Sequence, residues 1–351
     1  MLFTTRSQLF AGRTSLGHVT KVGVGPLSPE HAVQMLLPVA SSGGGGVSGG
    51  TDADADAAVV VAAETIVTRL GCLPLAIVTV SGHLFADRRF SVTNYLSAMP
   101  ESAVTDTVAS VMRGALECAR SQGLEELLDI AAFVNPDAIT LDLLGGDSAE
   151  AGVLRLCNMS LLQWVHGDVY SIHRSHQDVL RQSRLPTAAV HAVGRVLLSF
   201  SPSDSSTFSL GRSMLPHCEM LSRFASLIPA TARAEYASRV LDESGLVLRI
   251  VAFQFETSHS KHEEALSMKR DVYGVDAQNT DLASTLNNLG TVCGDRGDLS
   301  GAASKYEEAL SMKRHVYGVD AQNTDLARTL NNLGSVCRAR GDLSGAASKY
   351  K

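Results

Sequence analysis

Residues 262–305 read HEEALSMKRDVYGVDAQNTDLASTLNNLGTVCGDRGDLSGAASK, and residues 306–349 read YEEALSMKRHVYGVDAQNTDLARTLNNLGSVCRARGDLSGAASK. They are one 44-residue unit written twice, differing at about six positions, and a third copy opens at Tyr350-Lys351. A fixed period of this length marks a helical solenoid, in which each unit buries its apolar face against its neighbours. Such arrays bind other proteins far more often than they perform chemistry, so the period alone moves the expected function away from catalysis.

Each unit divides into two helices. Leu282, Leu286, Leu289 and Cys293 recur at spacings of four, three and four, which draws one stripe along a helix over Asp281–Cys293. Gly294 and Gly297 are expected to end it, with Asp298 as the N-cap of the next helix. That second helix carries Ala302, Tyr306, Ala309, Leu310 and Met312. The small residues Gly290, Ala302 and Ala309 predict close approach of the two helices, with Leu286, Leu289 and Tyr306 filling the seam. Leu330, Leu333, Gly334, Ala346 and Tyr350 repeat these roles, and an exposed seam at Ala346 and Tyr350 would favour self-association.

The pattern resembles the tetratricopeptide repeat (TPR). ALSMKRxVYGxD followed by LAxTLNNLGxVC is similar to the kinesin-light-chain type, with two extra residues in the AQNTD loop and Cys293 or Cys337 where a bulky aromatic is common. A weaker half-repeat precedes it, with Ala232 to Phe253 as a first helix and Lys261 to Tyr273 as a second. The resemblance implies that first helices line a concave groove holding proteins or extended peptides. Asn288 and Asn332 precede the buried Leu289 and Leu333, so they are expected beside that groove, where a carboxamide can donate to and accept from a peptide backbone. Asn287 and Asn331 are further candidates, and the competing reading makes these asparagines caps or bridges between helices.

Composition fits a cytoplasmic scaffold. The 351 residues allow two or three domains, and a net charge of −6 argues against a nucleic-acid or membrane-surface role. Six cysteines form no Cys-x-x-Cys pair, no run of 18 apolar residues occurs, and no signal segment opens the chain.

The first 260 residues carry a second resemblance. LFTTRS (2–7) and Val19–Val24 read as strands; PLSPEHAVQMLL (26–37) reads as a helix capped by Ser28. A Gly/Asp-rich insert at 41–57 reads as flexible, followed by a helix at Ala57–Leu70, then LGCLPLAI and another helix through Leu84. This order resembles the back half of an NB-ARC domain, the nucleotide switch of STAND-class signalling NTPases. The resemblance implies that Arg6 senses the γ-phosphate, and that Gly71–Ala76 is the Gly-Leu-Pro-Leu-Ala motif with Cys72 in place of its second glycine. Pro74 would then pack against adenine. LLDIAAFVNPDAITLDLL (127–144) and residues 153–181 resemble the winged helix that follows, with a hairpin of Gln163–Val165 and Val169–Ile172 turning at His166-Gly167-Asp168. Ile172-His173-Arg174 takes the place of the Met-His-Asp motif, which implies that His173 reaches the β-phosphate of ADP; the plain reading is a histidine capping the next helix.

No G-x-x-x-x-G-K-[ST] phosphate loop occurs, so ADP or ATP is implied by resemblance only, no bound cofactor is expected for this chain alone, and it is expected not to be an enzyme. The expectation is a fragment beginning inside a nucleotide domain and stopping inside a repeat. Asp52, Asp54 and Asp56 mimic a calcium loop but lack its glycine and glutamate. The pairs His173/His176 and His259/His262 lack a third ligand, so they read as solvated or capping histidines. Arg155, Arg174, Arg181, Arg184 and Arg195 invite a DNA hypothesis, which the family arrangement argues against.

The expected architecture is mainly α. Residues 1–25 would end a partial α/β nucleotide-binding core, 26–120 form a helical subdomain, 121–200 a winged helix, 201–255 a helical connector or degenerate repeat, and 256–351 a TPR solenoid. The function expected is an interaction scaffold or sensor arm of a STAND-type signalling switch; the alternative is a plain TPR adaptor binding extended peptides.

Overall fold

The computed structural model describes residues 26–42, 53–86, 91–99, 104–318 and 321–350; the strands expected in 1–25, and Arg6 with them, lie outside the described residues. Ser28 opens α1 (Pro29–Ser42) by accepting a bond from His31 N at 3.4 Å. Helices α2 (Ala53–Arg69), α3 (Pro74–Ala86), α4 (Val92–Ala98) and α5 (Val104–Ser121) follow. Leu36, Ile66, Leu70, Ile77 and Val80 are buried together in their core. Composition assigns 41–57 to a flexible insert, yet α1 runs through Ser42 and α2 begins at Ala53. The alanine-rich run from 53 favours helix and overrides the loop reading there.

Between α2 and α3 the chain turns through Gly71 and Cys72 at φ of 61° and 52°. Both angles are left-handed, the region glycine adopts without penalty, so Cys72 holds a conformation that a glycine would take freely. Leu27 N donates to Cys72 O at 2.9 Å, tying the entry of α1 to this turn. Pro74 then occupies the first position of α3, where its missing N–H is harmless.

The next unit runs α6 (Glu125–Phe133), β1 (Ile139–Thr140), α7 (Leu141–Leu144), a 3-10 turn, α8 (Glu150–Asn158), β2 (Gln163–His166) and β3 (Val169–Ser171). The sheet order is β1–β3–β2, antiparallel, with Tyr170 opposite both Ile139 and Trp164. The hairpin falls where it is expected, turning at Gly167 with φ 48°. Strand β1 has no sequence signature because two residues are too short to alternate. His217, from a helix further along the chain, holds the segment before β1: Asn135 N donates to Nδ1 at 3.1 Å and Nε2 donates to Ala138 O at 3.0 Å.

Helices α9 (Arg174–Arg181), α10 (Thr187–Leu197) and α11 (Phe208–Ser222) pack on this unit. Of the arginines that suggest a basic face, Arg181, Arg184 and Arg195 are engaged within the fold, Arg174 forms a surface pair and Arg155 is exposed. Arg181 donates to Ala132 O at 2.6 Å and lies 4.7 Å from the Phe224 ring centroid. Arg184 pairs with Asp129, Arg174 with Asp137 at 3.0 Å, and Arg195 donates to Leu143 O at 3.3 Å.

Helix α12 (Ala230–Glu235) continues through a π-helical stretch, Tyr236–Asp242, into α13 (Glu243–Ile250), and α14 (Phe255–Tyr273) turns back along it. This helix pair lies where the weaker half-repeat is expected. Then come α15 (Thr280–Asp295), α16 (Leu299–Tyr317), α17 (Thr324–Ala339) and α18 (Leu343–Tyr350), each packed on the next. Asp298 caps α16 as expected, accepting from Gly301 N at 2.8 Å. Helix α15 extends past Gly294, and the chain breaks at Gly297, whose φ is 81°. Asn279 and Asn323 are N-caps that the apolar stripe alone does not reveal, each accepting at 2.7 Å from the N–H two residues on.

Close approach within each helix pair rests on missing side chains. A Cβ on Gly290 would meet the Tyr306 ring at 2.7 Å, and one on Gly245 would meet the His262 ring at 2.7 Å. His262 therefore fills, in the half-repeat, the place of Tyr306. This corrects its reading as a solvated or capping histidine: the ring is 0% exposed because the seam encloses it. His176, read the same way, is also buried, while His173 does cap a helix. Ala346 is buried too, against the expectation of an exposed seam, because α18 lies on α17.

Candidate functional site

The helical run α12 through α13 and the helices α15 and α17 touch in series and form one continuous face. A buried lysine lies beneath each junction. Lys269 Nζ donates to Asp242 Oδ2 at 2.8 Å, Asp281 Oδ1 at 2.7 Å and Thr285 Oγ1 at 2.8 Å, with the lysine 0% exposed. Asp242 also accepts from Thr285 Oγ1 at 2.6 Å and from His262 Nδ1 at 2.8 Å. Burial alone would push the Asp242 carboxyl up; the bonds and charges of His262 and Lys269 outweigh it and hold the group below its usual value.

One repeat later, Lys313 is again 0% exposed but donates to Asp325 O at 3.2 Å and Thr329 Oγ1 at 3.0 Å. Asn287 stands where Asp242 stood, accepting from Thr329 Oγ1 at 3.3 Å. The Asp325 carboxylate pairs instead with Arg328 at 2.9 Å, and the first copy has Ser284 at that position. Among the described residues Lys313 has no ion pair. Burial, its leading influence, lowers the Lys313 pKa, opposed by Asp325.

The candidate asparagines divide in two. Asn287 is 5% exposed and bridges α15 to α17 through Thr329 and Asn332 Nδ2, the latter at 3.3 Å. Asn331, its copy, is exposed. Asn288 and Asn332 are half-buried along the first-helix face. Asn332 spends one N–H on Asn287, and among the described residues the Asn288 side chain has no hydrogen bond. Sequence reasoning missed the cage itself. Its signal was a lysine in the middle of an otherwise apolar stripe in each copy, Lys269 and Lys313.

Pro74 and His173 lie at the N-terminal ends of two helices in contact. His173 is the N-cap of α9, accepting from Ser175 N at 3.2 Å through Nδ1, and it is exposed, as is Pro74. One turn on, buried His176 bonds Thr79 of α3 at 3.2 Å. Thr79 spends its own proton on Leu75 O at 2.8 Å, so His176 must donate from Nε2; its Nδ1 is buried without a partner. Burial first, and then His173, push the His176 imidazole down to about 4.

Two open clefts lie beside the repeats and in the 120–195 region. One, of about 630 Å³, is lined by Phe253, Phe255, Glu256, Arg296 and Asp298; the other, of about 550 Å³, holds the Arg184–Asp129 pair. Among the described residues no cluster of three His, Cys, Asp or Glu is placed to hold a metal ion, and no helix is long and apolar enough to cross a membrane.

Residues 281–351 match the tetratricopeptide-repeat family model. This part of the chain is similar to tetratricopeptide repeats. No curated protein matches the chain. Among solved structures, BtubC (BKLC) from P. vanneervenii is similar at 16% identity, covering 68% of this chain and 87% of that one with a TM-score of 0.40.

Proposed function

We propose that this chain is a protein-interaction scaffold whose tetratricopeptide first helices hold an extended peptide. The reading rests on one observation: Asn288 and Asn332 stand half-buried on adjacent first helices, beside a rigid polar cage that fixes the spacing between them. Preorganised carboxamides at fixed spacing suit a peptide backbone, which offers a donor and an acceptor at each residue. Replacing both by alanine should abolish peptide or partner capture in a pull-down or anisotropy titration while leaving the helical circular dichroism unchanged. Loss of helix in step with binding would reject the reading.

A finer reading makes this array the sensor arm of a STAND-type, NB-ARC-like cytoplasmic switch in signal transduction. It is supported by the order helix, strand, two helices, hairpin in residues 125–171, and by Cys72 holding the left-handed angle of a glycine before Pro74. It gains further support from Pro74 and His173 standing at the N-termini of helices joined by the Thr79–His176 bond, since helix N-termini favour phosphate. Joined in frame to a phosphate-loop half, the chain should retain ADP, and His173→Ala should weaken that retention; unchanged ADP affinity in the mutant would reject the His173 role. A plain adaptor of the kinesin-light-chain type is the outcome if no such assembly holds nucleotide.

A further inference from the structure

Glu243 occupies the place on the first of the three stacked helices that Asn288 and Asn332 occupy on the next two. Bonds on either side establish the equivalence. Thr285 donates to Asp242 at 2.6 Å and Thr329 donates to Asn287 at 3.3 Å, which aligns Asp242 with Asn287. A Cβ on Gly245 or Gly290 would meet the second-helix ring, His262 or Tyr306, at 2.7 Å, which aligns those glycines. Glu243 and Asn288 lie between the aligned positions.

The Glu243 carboxylate is half-buried and, among the described residues, makes no hydrogen bond or ion pair. The nearby cations are already committed. Lys269 serves Asp242 and Asp281, Arg239 one turn back pairs with Glu235 at 3.3 Å, and Arg249 pairs with Asp295 at 3.1 Å. Burial and then the charge of Asp242, partly offset by Lys269, push the Glu243 carboxyl up to about 7. A carboxylate held partly out of water without a counter-charge is a place where an incoming cation gains more than it would at the open surface.

We propose that the groove is polarised by charge, with Glu243 receiving the lysine or arginine side chain of an extended peptide whose backbone is held at Asn288 and Asn332. The proposal rests on the peptide-groove reading above and adds the chemistry of the occupant. Packed helix axes lie roughly 8–10 Å apart and an extended chain advances about 3.3 Å per residue. The basic residue therefore falls about three residues from the one opposite Asn288 and about six from the one opposite Asn332. An acidic residue at the same place would meet like charge.

A random octapeptide display library sorted on the full chain tests this, followed by anisotropy titration of synthetic peptides that differ only as Lys, Leu or Glu at the selected position. Selected peptides should carry Lys or Arg at one fixed position, and the Lys peptide should bind about tenfold tighter than the Leu peptide. Glu243→Gln should erase that preference without weakening the Leu peptide, and Glu243→Asp should keep part of it. Asn288→Ala should weaken all three. Selected peptides without a basic preference, or a Glu243→Gln protein that keeps it, would overturn the charge assignment and leave the groove reading standing. No selected peptide at all would overturn both. Concentration-dependent self-association that peptides cannot compete would give the groove to a second copy of the chain, and would also overturn the assignment.

Discussion

Lys269 Nζ stands 2.8 Å from the Asp242 carboxylate with both side chains buried, while its copy Lys313 has no carboxylate partner among the described residues. The first repeat junction is held by a buried ion pair, and at the second the Lys313 ammonium donates to the neutral acceptors Asp325 O and Thr329 Oγ1. Removing one member of a buried pair strands the other, so Asp242→Ala is expected to cost about 3–5 kcal/mol. Asn287→Asp places a carboxylate beside the Thr329 that Lys313 bonds, and is expected to stabilise the chain by about 1 kcal/mol at neutral pH. Urea denaturation midpoints read both changes.

Phe253 has a φ of 54° and is 73% exposed, at the place where the full repeat has Gly297 with φ 81°. A bulky residue gains nothing by packing there and bears left-handed strain. Phe253→Gly should raise the melting temperature, by an amount corresponding to about 1 kcal/mol after the entropy of glycine in the unfolded chain is subtracted. A calorimetric scan of the two proteins decides it.

Gly290→Ala drives a methyl into the Tyr306 ring at 2.7 Å, and Gly245→Ala does the same to His262. Each is expected to cost about 1–3 kcal/mol by overpacking, even though alanine favours helix. Gly294→Ala meets nothing within 4 Å and should be neutral or mildly stabilising. Comparing the three thermal midpoints separates packing from helix propensity.

Acid should destabilise the chain through two buried imidazoles. His176 and His217 are each pushed down to about 4, led by burial, and His217 must stay neutral to accept from Asn135 N. A lowered folded value means that this stability is present above about 6.5 and lost as pH falls through about 4. The loss expected is up to roughly 3 kcal/mol for each group. Urea midpoints measured from pH 7 to pH 4 should show it, and His176→Gln should flatten part of the slope.

The repeats were legible because local signals and burial agree in them. Leu282, Leu286 and Leu289 are all buried on the stripe their spacing draws, and Asp298 caps where it is expected. The hairpin at 163–171 was legible for a similar reason: two short runs flanking a glycine turn specify it locally. Strand β1 was not, since its two residues are held by pairing with β3 and by the His217 clamp 79 residues away. The histidines misled because a polar ring suggests water. His262 is enclosed by Gly245 and bonded to Asp242, partners that no spacing rule connects.

The amino-acid order by itself determined the helical class, the 44-residue period, the Asp298 cap and the small-residue seam at Gly290. Each follows from interactions within a few residues along one chain segment. The tertiary structure decided which polar residues are engaged and which remain open. Asn287 and Asn288 are chain neighbours of one type, yet one bridges α15 to α17 and the other has no bond among the described residues. The hundred-degree rotation between successive helix positions separates them, and only the stacking of the next helix turns that rotation into a buried side and an open one.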